Sequence, residues 1–238
     1  MHAESSVSRA EVARFDALAA EWWDPHGPMR PLHRMNPTRI RWIAQQIGRR
    51  FADPAAVRVL DIGCGAGLAA EALARLGFRV LGADAAADVI AVARAHAEEH
   101  NLRLEYRQAT PEDLLAGPDR FPVITALEVI EHVPDPAVLL SSLAGLLEPG
   151  GLLFLSTLNR TSRSWLSAKI GAEYVLRWLP VGTHDWRKFI TPAEMGRHLR
   201  QAGLRLSGIT GLTPDVPRGG WRLSRDLSVN YLLLAEKG

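Results

Sequence analysis

Apolar residues recur along this chain with two periods, and the elements change where the period changes. Val12, Phe15, Ala19 and Trp22 stand at helical spacing until Pro25, Gly27 and Pro28 end the pattern. Asn36-Pro37 reads as an N-cap followed by proline at the first helical position, opening a helix with Ile40, Ile43 and Ile47 on one face. From Val57 short apolar runs alternate with helical stretches. The predicted strands are Val57–Ile62, Phe78–Ala83, Leu102–Gln108, Val123–Leu127 and Leu152–Thr157, and the helices between them lie near Leu68–Leu76, Ala87–His100 and Pro136–Leu147. Mostly apolar strands alternating with helices predict a parallel sheet covered on both faces. Glu148-Pro149-Gly150-Gly151 reads as a turn before the fifth strand. An irregular segment, Leu158–Ile190, then interrupts the alternation. Thr191-Pro192-Ala193-Glu194 forms a capping box whose helix runs to about Ala202. Leu204–Ile209 and Asn230–Ala235 bring the strands to seven, the last at or near an edge. The expected architecture is α/β, a doubly wound, mostly parallel sheet. Residues 1–56 form an N-terminal helical cap, and 57–238 form the main domain with an insertion at 158–190.

Composition narrows the classes. With 238 residues, 47% of them hydrophobic, the chain can bury the core of one such domain. A net charge of +2, without a dense basic stripe, argues against a nucleic-acid partner. Cys64 is the single cysteine, so no internal disulfide can form and a reducing compartment is expected. No basic start followed by an apolar core marks a signal peptide. No apolar run approaches the ~20 residues of a membrane span. The expected location is therefore the cytoplasm, free or attached to one membrane face.

The densest chemistry lies where the first strand meets its helix. In Asp61-Ile62-Gly63-Cys64-Gly65-Ala66-Gly67 glycine stands at every second position, which lets the backbone approach a ligand with no Cβ in the way. A strand–loop–helix of this kind holds nucleotide-like ligands near the helix N-terminus. Asp84 ends the second strand twenty-one residues after Gly63, where an acidic side chain accepts hydrogen bonds from ribose hydroxyls. The spacing lacks the extra residue of the dinucleotide fingerprint G-x-G-x-x-G, which disfavours a nicotinamide dehydrogenase. Asp61 would repel a pyrophosphate but suits a cationic amino group. The expected ligand is a nucleoside with an amino-acid end. Cys64 reads as a small filler, since no histidine or asparagine pattern supports a nucleophile.

A second constellation follows the fourth strand. Glu128, Glu131 and His132 have spacings of three and four, which on a helical turn places three donors on one side. That suits a divalent metal, or an acid/base histidine with carboxylate neighbours. A solvated helix start with His132 packed under the loop is the plainer alternative. The position at a strand's carboxyl end favours function.

These motifs resemble the class I S-adenosylmethionine-dependent methyltransferases. The first motif corresponds to Asp61 through Gly67, including Gly63 and Gly65, and the second to Asp84. The third, an acidic pair against the adenine, corresponds to Glu112-Asp113, although a helix-start carboxylate explains Glu112 equally well. The chain is further similar to the ubiquinone biosynthesis O-methyltransferase family over almost its full length. The stretches that carry this are Phe15 through Asp24, Pro31 through Pro37, Leu127 through Pro136, Ser156 through Arg160, Gly171 through Tyr174, Gly182 through Asp185, Ile209 through Leu212, and Val229 through Tyr231. The family's methionine is Leu127 here, and Asp215–Leu227 departs most from its pattern.

The resemblance implies a Rossmann-like class I fold and two O-methylations, one of a 2-polyprenyl-6-hydroxyphenol and one of 3-demethylubiquinol. It implies that Arg39, Gly63, Asp84 and Leu127 touch S-adenosylmethionine, with Arg39 facing the methionine carboxylate. For Glu128, Glu131 and His132 two roles stay open. They hold Mg²⁺ or a similar ion, as in metal-dependent eukaryotic relatives, or His132 is a general base steadied by Glu131. Within 160–188, Trp165, Ala168, Ala172, Val175, Leu176 and Leu179 share a helical face bordered by Arg160, Arg163, Lys169, Arg177, Arg187 and Lys188. Such a mixture suits a membrane interface that also serves as a lid over the site, with a lid alone or core packing as alternatives. The expected partners are a polyprenyl substrate, the inner membrane face and other quinone-biosynthesis enzymes. The competing functions are methylation of another small phenol or carbon acceptor, or cofactor binding without turnover in a quinone-synthesis complex.

Overall fold

In the computed structural model the described residues are 6–165, 186–215, 217 and 219–238. β1 (Arg58–Ile62), β2 (Arg79–Asp84), β3 (Glu105–Gln108), β4 (Phe121–Leu127) and β5 (Leu147–Leu158) pair in parallel. The chain leaves β1 outward to β2 and β3, then returns to lay β4 on the other side of β1. β8 (Asn230–Lys237), β6 (Leu204–Asp215) and β7 (Gly220–Ser224) continue the sheet antiparallel beyond β5. Among the described residues the sheet has eight strands, in the order β3-β2-β1-β4-β5-β8-β6-β7. The eighth is β7, in the stretch for which no strand was expected; it is the outermost strand, carries no apolar run, and pairs only with β6. β8 is not an edge strand but lies between β5 and β6. Its Tyr231-Leu232-Leu233-Leu234-Ala235 is buried throughout, as the run of apolar residues demands of a strand covered on both faces.

Strand alternation splits the core in two. Val59, Val80, Val123, Phe154 and Leu232 pack with α2 (Arg30–Gly48), α3 (Leu68–Arg75) and α4 (Ala87–Glu99). Leu60, Ile124, Leu153, Leu155 and Leu233 point the other way, toward α6 (Pro136–Leu146) and α8 (Pro192–Gln201). Ile40, Ile43 and Ile47 of α2 belong to the first of these cores, so α2 and the sheet share one apolar interior.

Local signals succeed where nothing distant competes. Thr191 accepts from the Glu194 amide and Glu194 accepts from the Thr191 amide, the reciprocal bonds expected of that box. Asn36-Pro37, by contrast, does not open a helix. α2 starts at Arg30, and Asn36 lies inside it, buried, donating from Nδ2 to the Leu68 carbonyl at 2.7 Å. The helix expected through Trp22 stops earlier: α1 spans Arg9–Asp16, and a single 3₁₀ turn follows at Ala19–Glu21. Glu148-Pro149-Gly150-Gly151 is not a turn before β5 but a bulge within it. Phe121 faces Leu147 while Val123 faces Leu152, and Gly150 takes up the excess at φ +72°. Among the described residues no helix is long and apolar enough to cross a membrane.

Candidate functional site

The strand order reverses between β1 and β4, and the carboxyl ends of these strands open into a cavity of about 770 Å³. The size is that of a cofactor site. The glycine turn forms one wall. Gly63 and Gly65 line the cavity, at φ +64° and +54°. Their missing Cβ atoms make room for protein as well as ligand: a Cβ on Gly63 would lie 2.5 Å from Val129, and one on Gly65 2.1 Å from Trp22. Gly67 is outside the lining, and a Cβ there would strike the Tyr106 hydroxyl at 2.1 Å. The turn is roofed from the N-terminal side. Trp22 covers Gly65, the Trp23 indole donates to the Ala66 carbonyl at 3.0 Å, and the His33 ring holds the Trp22 carbonyl at 2.9 Å. Cys64 is buried with its thiol pushed well up by that burial, as a filler would be.

Beside the turn, a buried cation and a buried anion share the cavity. Asp61 accepts from the Thr125 hydroxyl at 2.6 Å through Oδ1, while Oδ2 is buried without a hydrogen-bond partner among the described residues. Burial pushes its pKa up to about 6. Arg39 is 3% exposed; its Nε donates to Asn36 Oδ1 at 2.9 Å. Burial lowers its pKa, opposed by the charges of Glu128 and Asp61. Asp84 also lines the cavity and braces the turn, accepting from the Gly65 amide at 3.0 Å and the Ala86 amide at 2.9 Å. An unpartnered carboxylate oxygen, a buried guanidinium and a strand-end aspartate fit the ammonium, carboxylate and ribose of S-adenosylmethionine. Leu127, closing β4, lines the same space.

Glu112 and Asp113 do not. Asp113 closes a capping box with Thr110 at the start of α5 (Pro111–Leu115), and Glu112 accepts from Ser142 at 3.1 Å. Ala109, Thr110 and Pro111 line the cavity in their place. Glu112 stands in the first turn of α5, where the helix-start alternative has it.

The Glu128–His132 turn contributes the remaining polar groups. Glu128 sits at φ +59°, a left-handed conformation costing a non-glycine residue on the order of 1–3 kcal/mol. Two bonds from β5 hold it there: its amide donates to the Ser156 carbonyl, and its carboxylate accepts from the Ser156 hydroxyl at 2.6 Å. Asn230 at the start of β8 adds a third, at 3.3 Å. Glu131 is 3% exposed, accepts from Thr157 at 2.9 Å, and keeps Oε1 buried without a hydrogen-bond partner among the described residues. Burial, with the Glu128 charge second, pushes its pKa up to about 7. His132 lowers the Glu131 pKa through its charge. Its Nδ1 lies 3.1 Å from Oε2 of Glu11, on α1, and the Phe15 ring meets the imidazole edge-on at 5.1 Å. Each of the three groups thus has its own partner. Among the described residues no set of three or more His, Cys, Asp or Glu is disposed to hold a metal ion. The Mg²⁺ expectation at Glu128, Glu131 and His132 does not fit this arrangement.

Sequence reasoning missed Glu11 and Thr125 and left Ser156, Thr157, Asn230 and Trp22 without roles. The last four stand within the family-like stretches, which was a signal of their presence; Glu11 had none, 121 residues from its partner.

Comparisons with known proteins agree with this fold. A methyltransferase-domain family matches residues 32–207. The chain is 51% identical over 240 residues to the ubiquinone biosynthesis O-methyltransferase of Cereibacter sphaeroides, covering 98% of this chain and 97% of that one. It is 50% identical to the protein of the same name from Parvibaculum lavamentivorans, covering 99% and 96%. Among solved structures, the magnesium protoporphyrin IX methyltransferase of Synechocystis with bound SAM superposes with a TM-score of 0.66 at 16% identity, covering 98% of this chain and 100% of that one. A SAM-dependent methyltransferase from Aquifex aeolicus gives 0.63 at 14% identity, covering 95% and 98%. At such identity these two show the shared class I fold.

Proposed function

Because the chain belongs to the ubiquinone biosynthesis O-methyltransferase family, we propose that it methylates a phenolic hydroxyl of two quinone precursors, a 2-polyprenyl-6-hydroxyphenol and 3-demethylubiquinol. The observation that carries this is one apolar cavity that offers both cofactor-binding groups and an acid/base cluster. Val12, Phe15, Leu32 and Leu139 give it walls suited to an isoprenoid-bearing ring. Asp61 Oδ2 receives the cofactor's ammonium, Arg39 its carboxylate and Asp84 its ribose, with Gly63, Gly65 and Leu127 against its body. Gly67, Glu112 and Asp113 support that wall without touching the ligand.

S-adenosylmethionine supplies a methyl already activated on a sulfonium. The protein's part is to hold the ring oxygen in line with that carbon, which can contribute roughly 7–11 kcal/mol. A phenol has a pKa near ~10, so its proton must leave as the oxygen–carbon bond forms and the carbon–sulfur bond breaks. His132 takes that proton. Glu131, held by Thr157, orients the neighbouring ring oxygen, and Glu128 keeps the turn in place. The test is transfer of a labelled methyl from S-adenosylmethionine to short-tailed demethylubiquinol and the matching catechol. Transfer to both is expected. A protein that binds the cofactor yet methylates neither would instead be a methyltransferase for another acceptor, or a cofactor-binding subunit.

A polyprenyl tail keeps the substrate in the bilayer, so we also propose that residues 160–188 rest on the inner face of the membrane, within reach of other quinone-biosynthesis enzymes. Most of that face, 166–185, lies outside the described residues. Of its described part, Trp165 is 41% exposed, in keeping with an interfacial anchor. Its basic rim is partly neutralised: Arg160 pairs with Glu194, Arg163 with Asp226 and Lys188 with Glu11. Undiminished flotation with anionic liposomes after deletion of the segment would refute this role.

A further inference from the structure

We infer that Glu11 is the positioning residue for His132, and that the site is complete only when α1 is seated over the cavity. The inference rests on the reading of His132 as the proton acceptor. Glu11 and Phe15 are four residues apart on α1 and so share a face. That face grips the imidazole, the carboxylate at Nδ1 and the phenyl ring edge-on. Glu11 is itself held in place, 3.6 Å from Arg14 and 3.7 Å from Lys188. The far end of α1 is anchored independently, because Asp16 accepts from the Asp88 and Val89 amides at the start of α4, at 3.0 and 3.3 Å. No residue of α1 is itself buried, and its N-cap makes no side-chain bond, so these contacts and its apolar side settle where it lies.

The consequence is chemical. A carboxylate at Nδ1 fixes the ring's orientation and tautomer, assigns the phenolic proton to Nε2, and stabilises the imidazolium that forms. The other charged groups around His132 are Arg14 and Lys188, which face Glu11, and Glu131, which Thr157 holds. Seating α1 therefore closes the apolar wall and readies the base in one movement.

The experiment compares Glu11→Gln, Glu11→Asp and His132→Gln in the full-length protein. It measures S-adenosylmethionine affinity by calorimetry, kcat and KM for a short-tailed demethylubiquinol, and the His132 tautomer by imidazole ¹⁵N NMR. In Glu11→Gln we expect kcat to fall about tenfold or more, with KM and cofactor affinity within about twofold. We expect Glu11→Asp to recover part of the loss, and the Nδ1–H signature of His132 to shift in Glu11→Gln. Normal kcat in Glu11→Gln alongside an inactive His132→Gln overturns the role of Glu11 alone. An active His132→Gln overturns the proton-acceptor reading, and this inference with it. Should Glu11→Gln fail to bind cofactor, its ¹⁵N spectrum decides: a His132 signal unchanged from the parent protein overturns the proposal.

Discussion

Asp61 is a carboxylate taken out of water, with one oxygen bonded to Thr125 and the other without a hydrogen-bond partner among the described residues. Its pKa is raised, so the folded, ligand-free protein keeps a proton that the unfolded chain releases between about pH 4 and 6. This group's contribution to stability therefore falls as pH rises through that window, and stays lost above it. An ammonium binds the ionised form, so cofactor affinity should move the opposite way. Calorimetry should show S-adenosylmethionine binding tighten by up to about tenfold per pH unit below pH 6 and level off above it, and Asp61→Asn should flatten the curve. Asp61 and Asp84 could be placed beside the turn from sequence because each stands at the end of a strand that the pattern predicts, whereas Arg39, on α2, was indicated only by the family resemblance. The glycines were legible for an incomplete reason, since Val129, Trp22 and Tyr106 fill the space their Cβ atoms would take. Glu11 was not legible, because nothing near His132 in sequence announces a partner on α1.

Capping boxes show how far local rules reach at the scale of elements. Thr191 and Glu194 meet no distant competitor for their bonds, so the expected cap forms. Replacing Thr191 by Ala should lower stability by about 1 kcal/mol, read as a reduced denaturant midpoint with an unchanged slope, and leave cofactor affinity intact. Asn36 carries an equally local signature, yet spends its amide on Leu68 across the core. The helix then begins at Arg30, where Pro31 already supplies the early-turn proline. Strand positions within the sheet were the least legible. β7 exists because β6 offers it an edge, and β8 is central because β5 and β6 both claim it. The buried Tyr231–Ala235 run was the one sign in the sequence that this strand has neighbours on both sides.

At the scale of the whole molecule, the sheet brings Ser156 and Thr157 of β5 and Asn230 of β8 beside the turn that follows β4, and they hold the carboxylates of Glu128 and Glu131. These donors do not converge on an ion. Exhaustive chelation and dialysis should leave methyl transfer within about twofold of the untreated rate, and adding Mg²⁺ back should not raise it. A loss restored by the metal would mean that the turn rearranges around an ion once substrate is bound. The parallel half of the fold was legible because alternation of strands and helices dictates it. The antiparallel half was less so, because β7 carries no apolar run and β8 pairs with β5 across the whole of 159–229.

The Trp22-Trp23 roof over the glycine turn also bears on the order of events during turnover. Trp22 covers Gly65, while Trp23 and His33 tie that segment to Ala66 and to itself. A cofactor seated against the turn lies beneath this roof, whereas the ring substrate approaches the Glu128–His132 side. Steady-state kinetics should then be ordered, with S-adenosylmethionine first on and S-adenosylhomocysteine last off. Product inhibition should be competitive against the cofactor and noncompetitive against the quinol, and exchange of the spent cofactor, gated by lifting of the roof, should pace the cycle.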